Sequence, residues 1–294
     1  MNMSAGVVLA DFFSGCGGST RGFADAGIEP VLAIDWDSDA AATYRLNFPE
    51  TTFLERDILS LSVDEVEEVL PPRGEAIRLF AGCAPCQPFS GHRHGPTALD
   101  KRSFLLLEFL RFVKASNPEL IFVENVPGMQ RLSTSRGPLA EFVDEVSKTH
   151  DVSVDIISSA DYGIPQTRRR LVLVASRLGP IKLPLPTHGL EAGEPHSTIR
   201  DWIGSLPPIE AGQEDSDISN HRAMMLSDLN LKRIRATPEG GDRRDWPRRL
   251  WPDCHQGGFD GHTDVYGRLR WDSPAPTLTT KCLSYSNGRF GHPS

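Results

Sequence analysis

Seven short apolar runs alternate with helical patterns over the first ~175 residues, and this alternation constrains the fold more than any other property of the chain. Val7-Val8-Leu9-Ala10, Val31-Leu32-Ala33-Ile34, Thr52-Phe53-Leu54, Ala76-Ile77-Arg78-Leu79-Phe80, Leu120-Ile121-Phe122-Val123, Val152 to Ile157 and Leu171 to Ala175 read as strands. Between them, Ser19 to Ala26, Ser38 to Asn47, Val63 to Leu70, Ser103 to Lys114 and Leu139 to Lys148 read as helices. Strand–helix–strand units cover both faces of a sheet with helices, so the expected fold class is α/β, a doubly wound and mostly parallel sheet. The link Asp161-Tyr162-Gly163-Ile164-Pro165-Gln166 is too short for a helical crossover. One strand is therefore expected to run antiparallel.

From Pro180 onward, prolines, glycines and polar residues dominate, and His221 to Arg235 is the one helix expected there. Thr237 to Gly261 reads as loop, with Trp246, Trp251 and Phe259 set among charges. The expected organisation is a large domain over residues 1–184 and a smaller, loop-rich one over 185–294. No apolar run is long enough to span a bilayer, and Met1 to Gly6 lacks the pattern of a signal peptide. Five cysteines, an odd count, favour a reducing compartment, so the cytoplasm is expected and a membrane partner is not. The net charge of −8 is unevenly spread: residues 1–160 hold 13 Lys/Arg against 23 Asp/Glu, whereas 161–294 hold 18 against 16. Lys232, Arg233, Arg235, Arg243, Arg244, Arg248 and Arg249 crowd into one short span. Phosphate binding depends on a local basic surface rather than on the whole-chain sum, so the acidic total does not exclude nucleic acid.

The chemistry-bearing residues stand at strand ends. The first strand runs into Asp11-Phe12-Phe13-Ser14-Gly15-Cys16-Gly17-Gly18, where glycines let the backbone turn sharply at the start of the next helix. The spacing differs from G-x-G-x-x-G, which argues against a nicotinamide dinucleotide. Asp35-Trp36-Asp37 follows the second strand, with an acid placed for ribose hydroxyls and a flat ring for an adenine. Asp57-Ile58 follows the third, with an acid able to accept from an exocyclic amine. Together the three sites point to a nucleoside-containing cofactor. After the fourth strand, Pro85 and Pro88 stiffen the loop that carries Cys86, so its thiol is a candidate nucleophile. Glu124-Asn125-Val126 ends the fifth strand, and Cys86 with Glu124 would form a nucleophile and acid pair on neighbouring strand tips. In Gln166-Thr167-Arg168-Arg169-Arg170, strand alternation would put Arg168 and Arg170 on one face, suited to a phosphate or a carbonyl. Cys83-x-x-Cys86 also has the spacing of a redox or zinc pair, but Pro88 and the lack of a second metal pair argue against it. Cys254, His255 and His262 read as surface polar residues, and no metal site is expected.

In this order the pieces resemble the bacterial DNA (cytosine-5)-methyltransferase family: Asp11–Gly18, Asp35–Asp37, Asp57-Ile58, Pro85-Cys86-Gln87, Glu124-Asn125-Val126 and Gln166-x-Arg168-x-Arg170. Arg270 to Thr280 looks like the family's ninth motif, which supports its small target-recognition domain. The resemblance covers nearly the whole chain. It implies methyl transfer from S-adenosylmethionine, leaving S-adenosylhomocysteine, to C5 of a flipped-out cytosine in double-stranded DNA, with Cys86 adding to C6. Glu124, Arg168 and Arg170 would be the other catalytic residues. Phe12, Phe13, Gly15, Cys16, Gly17, Gly18, Asp35, Trp36, Asp57, Ile58 and Pro85 would hold the cofactor. Gln87, Ser90, Gln166, Arg233, Arg235, Arg243 and Arg244 would meet the nucleic acid. The protein would act as a monomer on DNA, in restriction–modification or related marking near the bacterial nucleoid.

Two departures accompany the resemblance. Asp35 stands where the family usually has Glu, one methylene shorter. The family also continues beyond Gly288-Arg289-Phe290-Gly291-His292-Pro293 into a last motif that completes the methyl-donor pocket. A chain lacking it implies truncation, a second polypeptide that supplies the motif, or weak cofactor binding. The alternatives left open are a catalytically impaired DNA-binding fragment or subunit, and an RNA cytosine-5 methyltransferase. The RNA branch's Cys-Phe-Thr signature is absent from residues 180–294.

Overall fold

In a computed structural model of the chain, the described residues are 6–85, 104–128, 137–253, 256, 265–279, 282 and 284–294. In chain order the elements are β1 (Val7–Phe12), α1 (Gly18–Asp25), β2 (Glu29–Asp35), α2 (Ser38–Asn47), β3 (Thr52–Glu55), α3 (Val63–Glu67), β4 (Ile77–Gly82), α4 (Leu105–Ser116), β5 (Leu120–Asn125), α5 (Pro138–Val146), β6 (Asp151–Ser158), β7 (Gln166–Thr167), β8 (Arg169–Ser176), α6 (Ile199–Ile203), α7 (Asp228–Arg235) and β9 (Ala275–Pro276). The chain divides into two compact units, Met1–Ile157 with Arg169–Pro184, and Ser158–Arg168 with Leu185–Ser294.

The first unit is built on a seven-stranded sheet of order β3-β2-β1-β4-β5-β8-β6. Strands β3, β2, β1, β4 and β5 pair in parallel. β8 inserts antiparallel beside β5, from Leu120↔Ser176 to Asn125↔Leu171, as the short link before it requires. After β3 the chain crosses back over β1 to lay down β4, so the winding direction reverses between β1 and β4. Ligands of open α/β sheets bind in the crevice at such a reversal, outside the carboxyl ends of the strands.

Aromatic packing fixes that crevice from below. The Phe12 ring lies 5.3, 5.0 and 5.2 Å from the rings of Phe80, Phe109 and Phe112, and all four side chains are fully buried. α4 buries Leu106, Phe109, Leu110, Phe112 and Val113, at the spacing of one helix face. Phe109 in turn stacks on Phe142 of α5 at 5.9 Å. α4 comes so close to the tip of β4 that a Cβ at Gly82 would sit 2.7 Å from the Phe109 ring. Arg78, which interrupts the apolar run of β4, is buried and satisfied by Glu67 at 2.9 Å and by the Pro71 carbonyl.

The second unit has little regular structure. β7 pairs in parallel with β9, Gln166 opposite Ala275. Trp246, Leu250 and Tyr285 form its buried apolar cluster, and the Trp246 indole N–H donates to the Thr237 hydroxyl at 2.7 Å. The helix expected over His221 to Arg235 is shorter than the sequence indicated. It begins at Asp228, after the Ser227 side chain accepts the Asn230 N–H. Upstream, Arg222 bridges to Glu214 and the Ala223 N–H donates to the Gln213 carbonyl, so those backbone groups are committed to a hairpin-like contact. α6 was not foreseen; Thr198 and Asp201 start it with a reciprocal capping box. α3 ends at Glu67, three residues short of the expected Leu70. Among the described residues no helix is long and apolar enough to cross a membrane.

The contact between Gly82 and Phe109 is testable by non-additivity. Phe109→Ala should cost about 3–5 kcal/mol in urea unfolding through the cavity it leaves. Gly82→Ala should destabilise the wild-type chain but cost clearly less once Phe109 is alanine. Additive losses would mean that the ring does not press on this strand tip.

Candidate active site

The loop after β1 is shaped by its backbone. Phe13 (φ 61°), Gly15 (φ 53°) and Gly17 (φ 89°) all adopt left-handed conformations, which a phenylalanine adopts only under constraint from its surroundings. A Cβ on Gly17 would meet the Phe48 ring at 2.6 Å, so no larger residue fits there. At Gly15 and Gly18 an added Cβ would meet nothing within 4 Å, so the loop carries open space on its outer side. Cys16 is an exposed free thiol between them.

Asp35, at the tip of β2, ties this loop to its neighbour. One carboxylate oxygen accepts the Gly15 N–H at 2.8 Å and the other accepts the Asp37 N–H at 3.1 Å. Each oxygen keeps a second lone pair for a ligand hydroxyl. Next to it Trp36 is 74% exposed, an uncovered indole face at the sheet edge. Asp57 is exposed beyond β3, with one oxygen accepting the Leu59 N–H at 3.0 Å. Two residues assigned to cofactor contact turn inward instead. Phe12 is fully buried in the aromatic core, and Ile58, 4% exposed, packs into the same cluster. Their side chains support the loops rather than line them.

Asp11, which opens the Asp11–Gly18 motif but has no role assigned from sequence, is the penultimate residue of β1. It is fully buried, accepts the Thr20 hydroxyl at 2.7 Å, and its other oxygen has no hydrogen-bond partner among the described residues. Burial pushes its carboxyl up from 3.8 to about 7; the Thr20 bond opposes the rise and the Asp35 charge adds to it.

At the tips of β4 and β5 a second constellation forms. Asn125, also absent from the candidate residues, is buried; its amide donates to the Ala84 carbonyl at 3.1 Å and its oxygen accepts the Val126 N–H. This bond ties the start of the cysteine loop to the strand that carries Glu124. Burial pushes the Cys83 thiol up to about 12; the Asp11 charge adds to the rise and a bond with the Ser19 hydroxyl opposes it. Cys83 is thus an inert packing thiol. Pro85 is half-buried at the start of the loop, and Cys86, Gln87 and Ser90 lie outside the described residues, as do Cys254, His255 and His262.

Glu124 forms an ion pair with Arg170, Oε1 to Nε 2.6 Å, with both side chains largely sheltered. The register explains the meeting: Glu124 stands opposite Val172, and Arg170 is two residues along β8, diagonal on the same face. Arg168 does not share that face through a continuous strand. It lies between β7 and β8, where its carbonyl accepts the Ser159 N–H at 2.9 Å, and it belongs to the second unit. The alternation expected over Gln166–Arg170 is broken there.

The scan against known families decides the assignment. Residues 7–238 match the model of the C-5 cytosine-specific DNA methylase. The chain belongs to this family. Among its relatives, the type II methylase M.HgiDII of Herpetosiphon aurantiacus is 38% identical over 98% of this chain and 79% of its own length. The type II methyltransferase M1.HphI of Haemophilus parahaemolyticus is 33% identical over 96% and 74%. A solved structure with the same fold is that of a candidate DNA modification methyltransferase encoded within an E. coli prophage. It has a TM-score of 0.69 at 21% identity, over 93% of this chain and 82% of that one. In this DNA cytosine methyltransferase the winding of the sheet reverses between β1 and β4.

The basic residues of the second unit separate into two groups. Arg243 is buried, which removes it from any phosphate-facing surface. Arg233 is half-buried, donates to the Leu250 carbonyl at 2.9 Å and lies over the Trp246 and Tyr266 rings. Lys232, Arg235, Arg248 and Arg249 are exposed, as is Arg244, which is paired to Asp242 at 2.6 Å. Among the described residues no His/Cys/Asp/Glu group could hold a metal ion.

Asp11 gives the methylase fold a measurable pH signature. Between 3.8 and about 7 the folded chain holds a proton that the unfolded chain releases. That stabilisation is complete below 3.8 and is lost as pH rises to about 7. In urea unfolding, the wild type should lose more stability between about pH 5 and about pH 8 than Asp11→Asn. Equal losses would show that Asp11 does not titrate across this window.

Proposed function

We propose that the protein methylates C5 of cytosine in double-stranded DNA, with Cys86 as nucleophile and S-adenosylmethionine as methyl donor. The observation that carries this reading is the Glu124–Arg170 pair at the tip of β5, tied through Asn125 to the loop that leads to Cys86. The family's description, C-5 cytosine-specific DNA methylase, supports DNA as the substrate.

The residues of the β1, β2 and β3 tips fit the donor. The open space at Gly15 and Gly18 leaves room for a ligand against the amino end of α1. Asp35 has lone pairs left for ribose hydroxyls, Trp36 offers an uncovered face for the adenine, and Asp57 can accept from its exocyclic amine. S-adenosylmethionine, when bound, supplies an electrophilic methyl group.

Cytosine C5 is a weak nucleophile until C6 is attacked. The Cys86 thiolate adds to C6, a C–S bond forms, and the C5–C6 π electrons move toward C5 and the N3 side of the ring. A proton shared between the Glu124 carboxyl and N3 neutralises the negative charge that develops at N3 as the thiolate adds. Arg170 fixes the Glu124 carboxyl in position, and Arg168 orients the base through its O2 carbonyl. Once C5 carries the methyl group, a base removes the C5 proton, the C–S bond breaks and Cys86 leaves as thiolate. None of these atoms is accessible inside a duplex, so the target base is flipped out, which costs a few kcal/mol. The second unit offsets this cost by gripping phosphates with its exposed cations and reading bases in the major groove.

A mechanism-based trap tests the reading. Fluorine cannot leave C5 as a cation, so duplex DNA with 5-fluorocytosine at the target, given S-adenosylmethionine, should become covalently attached to the protein. Peptide mapping should locate the attachment at Cys86, and Cys86→Ser should bind the DNA without trapping. Trapping by Cys86→Ser at the wild-type level would exclude Cys86 as nucleophile. No adduct from a protein that binds both donor and DNA would exclude the covalent route.

A further inference from the structure

A cleft of about 500 Å³ opens on the second unit, with Met224, Met225, Leu226, Asn230, Ser284 and Tyr285 among its lining residues. All of its lining residues belong to that unit. The floor is rigid: Tyr285 is 7% exposed, packs with Trp246 and Leu250, bonds the Thr237 hydroxyl at 2.7 Å and donates to the Tyr266 carbonyl at 3.2 Å. The wall is apolar and uncovered, with Met224 50% and Met225 74% exposed. The Met225 methyl group lies against Gly212, where an added Cβ would meet it at 2.4 Å.

Asn230 supplies the polar element, and its orientation is settled by its partner. Arg233 Nη1 lies 3.0 Å from the Asn230 side-chain oxygen. A guanidinium only donates, so the amide oxygen must face it and the NH2 group must face away. Arg233 is itself anchored by the Leu250 carbonyl and by the Trp246 and Tyr266 rings, which makes the arrangement stiff. Among the described residues the Asn230 NH2 has no partner. The cleft therefore offers a fixed donor beside an apolar wall.

The surroundings are those of a polyanion site. Lys232 and Arg235 are exposed on the helix that carries Asn230, and Arg248 and Arg249 are exposed on the turn whose Leu250 carbonyl anchors Arg233. In the major groove a thymine presents an acceptor, O4, next to its C5 methyl group; guanine presents two acceptors and no methyl, and cytosine and adenine present an exocyclic donor. We propose that Asn230, with Met224 and Met225, reads a thymine of the DNA target: the amide donates to O4 and the thioethers pack on the methyl group. This rests on the reading of the chain as a DNA cytosine methylase, and it makes Asn230 and Met225 specificity-determining residues of that reaction.

The test methylates a randomised duplex library and reads the product by bisulfite sequencing. The wild type should demand T·A at one or more positions of its site. Asn230→Ala should relax that demand about tenfold at one T·A position only, and Met225→Ala should relax it at the same position. Replacing that thymine by uracil, which keeps O4 and loses the methyl, should slow the wild type several-fold and leave Met225→Ala unaffected. Thermal melts of both variants establish that they are folded, and Met225→Leu, which keeps the apolar wall, should retain the preference. A wild type with a defined site but no T·A demand would overturn the proposal. So would variants that lose rate equally on all sequences, or that keep every preference. A wild type that methylates no DNA cytosine would instead overturn the functional reading itself, and this proposal with it.

Discussion

Strands β1 and β4 pair in parallel from Val7↔Ile77 to Phe12↔Gly82, so both end at the same level. The loops that carry the candidate residues are set by that alignment. The glycine loop leaves one tip and the cysteine loop leaves the next, and the winding reversal between them leaves the crevice uncovered by a crossover. The pairing is held by apolar packing, because Phe12 packs diagonally against Phe80 on the adjacent strand and against Phe109 and Phe112 of α4. Burial of each of these aromatic side chains contributes roughly 1.5–3 kcal/mol.

On this base, polar contacts set the finer positions. Asp35 pins the glycine loop through Gly15, and Asn125 pins the start of the cysteine loop through Ala84. Glu124 and Arg170 meet only because β8 runs antiparallel to β5, which sets a charge pair diagonal on one face. A helical crossover before β8 would have reversed that strand and changed its register. The short link between β6 and β8 therefore sets this charge pair as well as the topology.

Much of this was legible in the sequence because strand ends are local events. Asp35, Asp57 and Glu124 each follow an apolar run, and all three stand at or just beyond strand tips. What was missed depends on contacts between segments far apart in sequence. Phe12 and Ile58 sit inside binding motifs, yet their side chains are drawn into the core by α4 and its neighbours. Arg168 and Arg170 alternate in sequence, but the strand is interrupted at Arg168, between β7 and β8. Arg243 reads as one of a row of surface cations and is buried. Asp11 and Asn125 fall inside motifs, but nothing local in the sequence says what their buried side chains will meet. The periodicity of a segment says which face is apolar, not which polar groups will meet across it.

The account stands or falls on where the methyl group goes. Duplex DNA incubated with the protein and S-adenosylmethionine carrying a labelled methyl should be digested to nucleosides and resolved by liquid chromatography and mass spectrometry. The strand-tip arrangement predicts that the label appears in 5-methylcytosine, and that Glu124→Gln lowers its yield sharply while the DNA is still bound. Label in N4-methylcytosine or N6-methyladenine would contradict the account, as would an undiminished yield from Glu124→Gln.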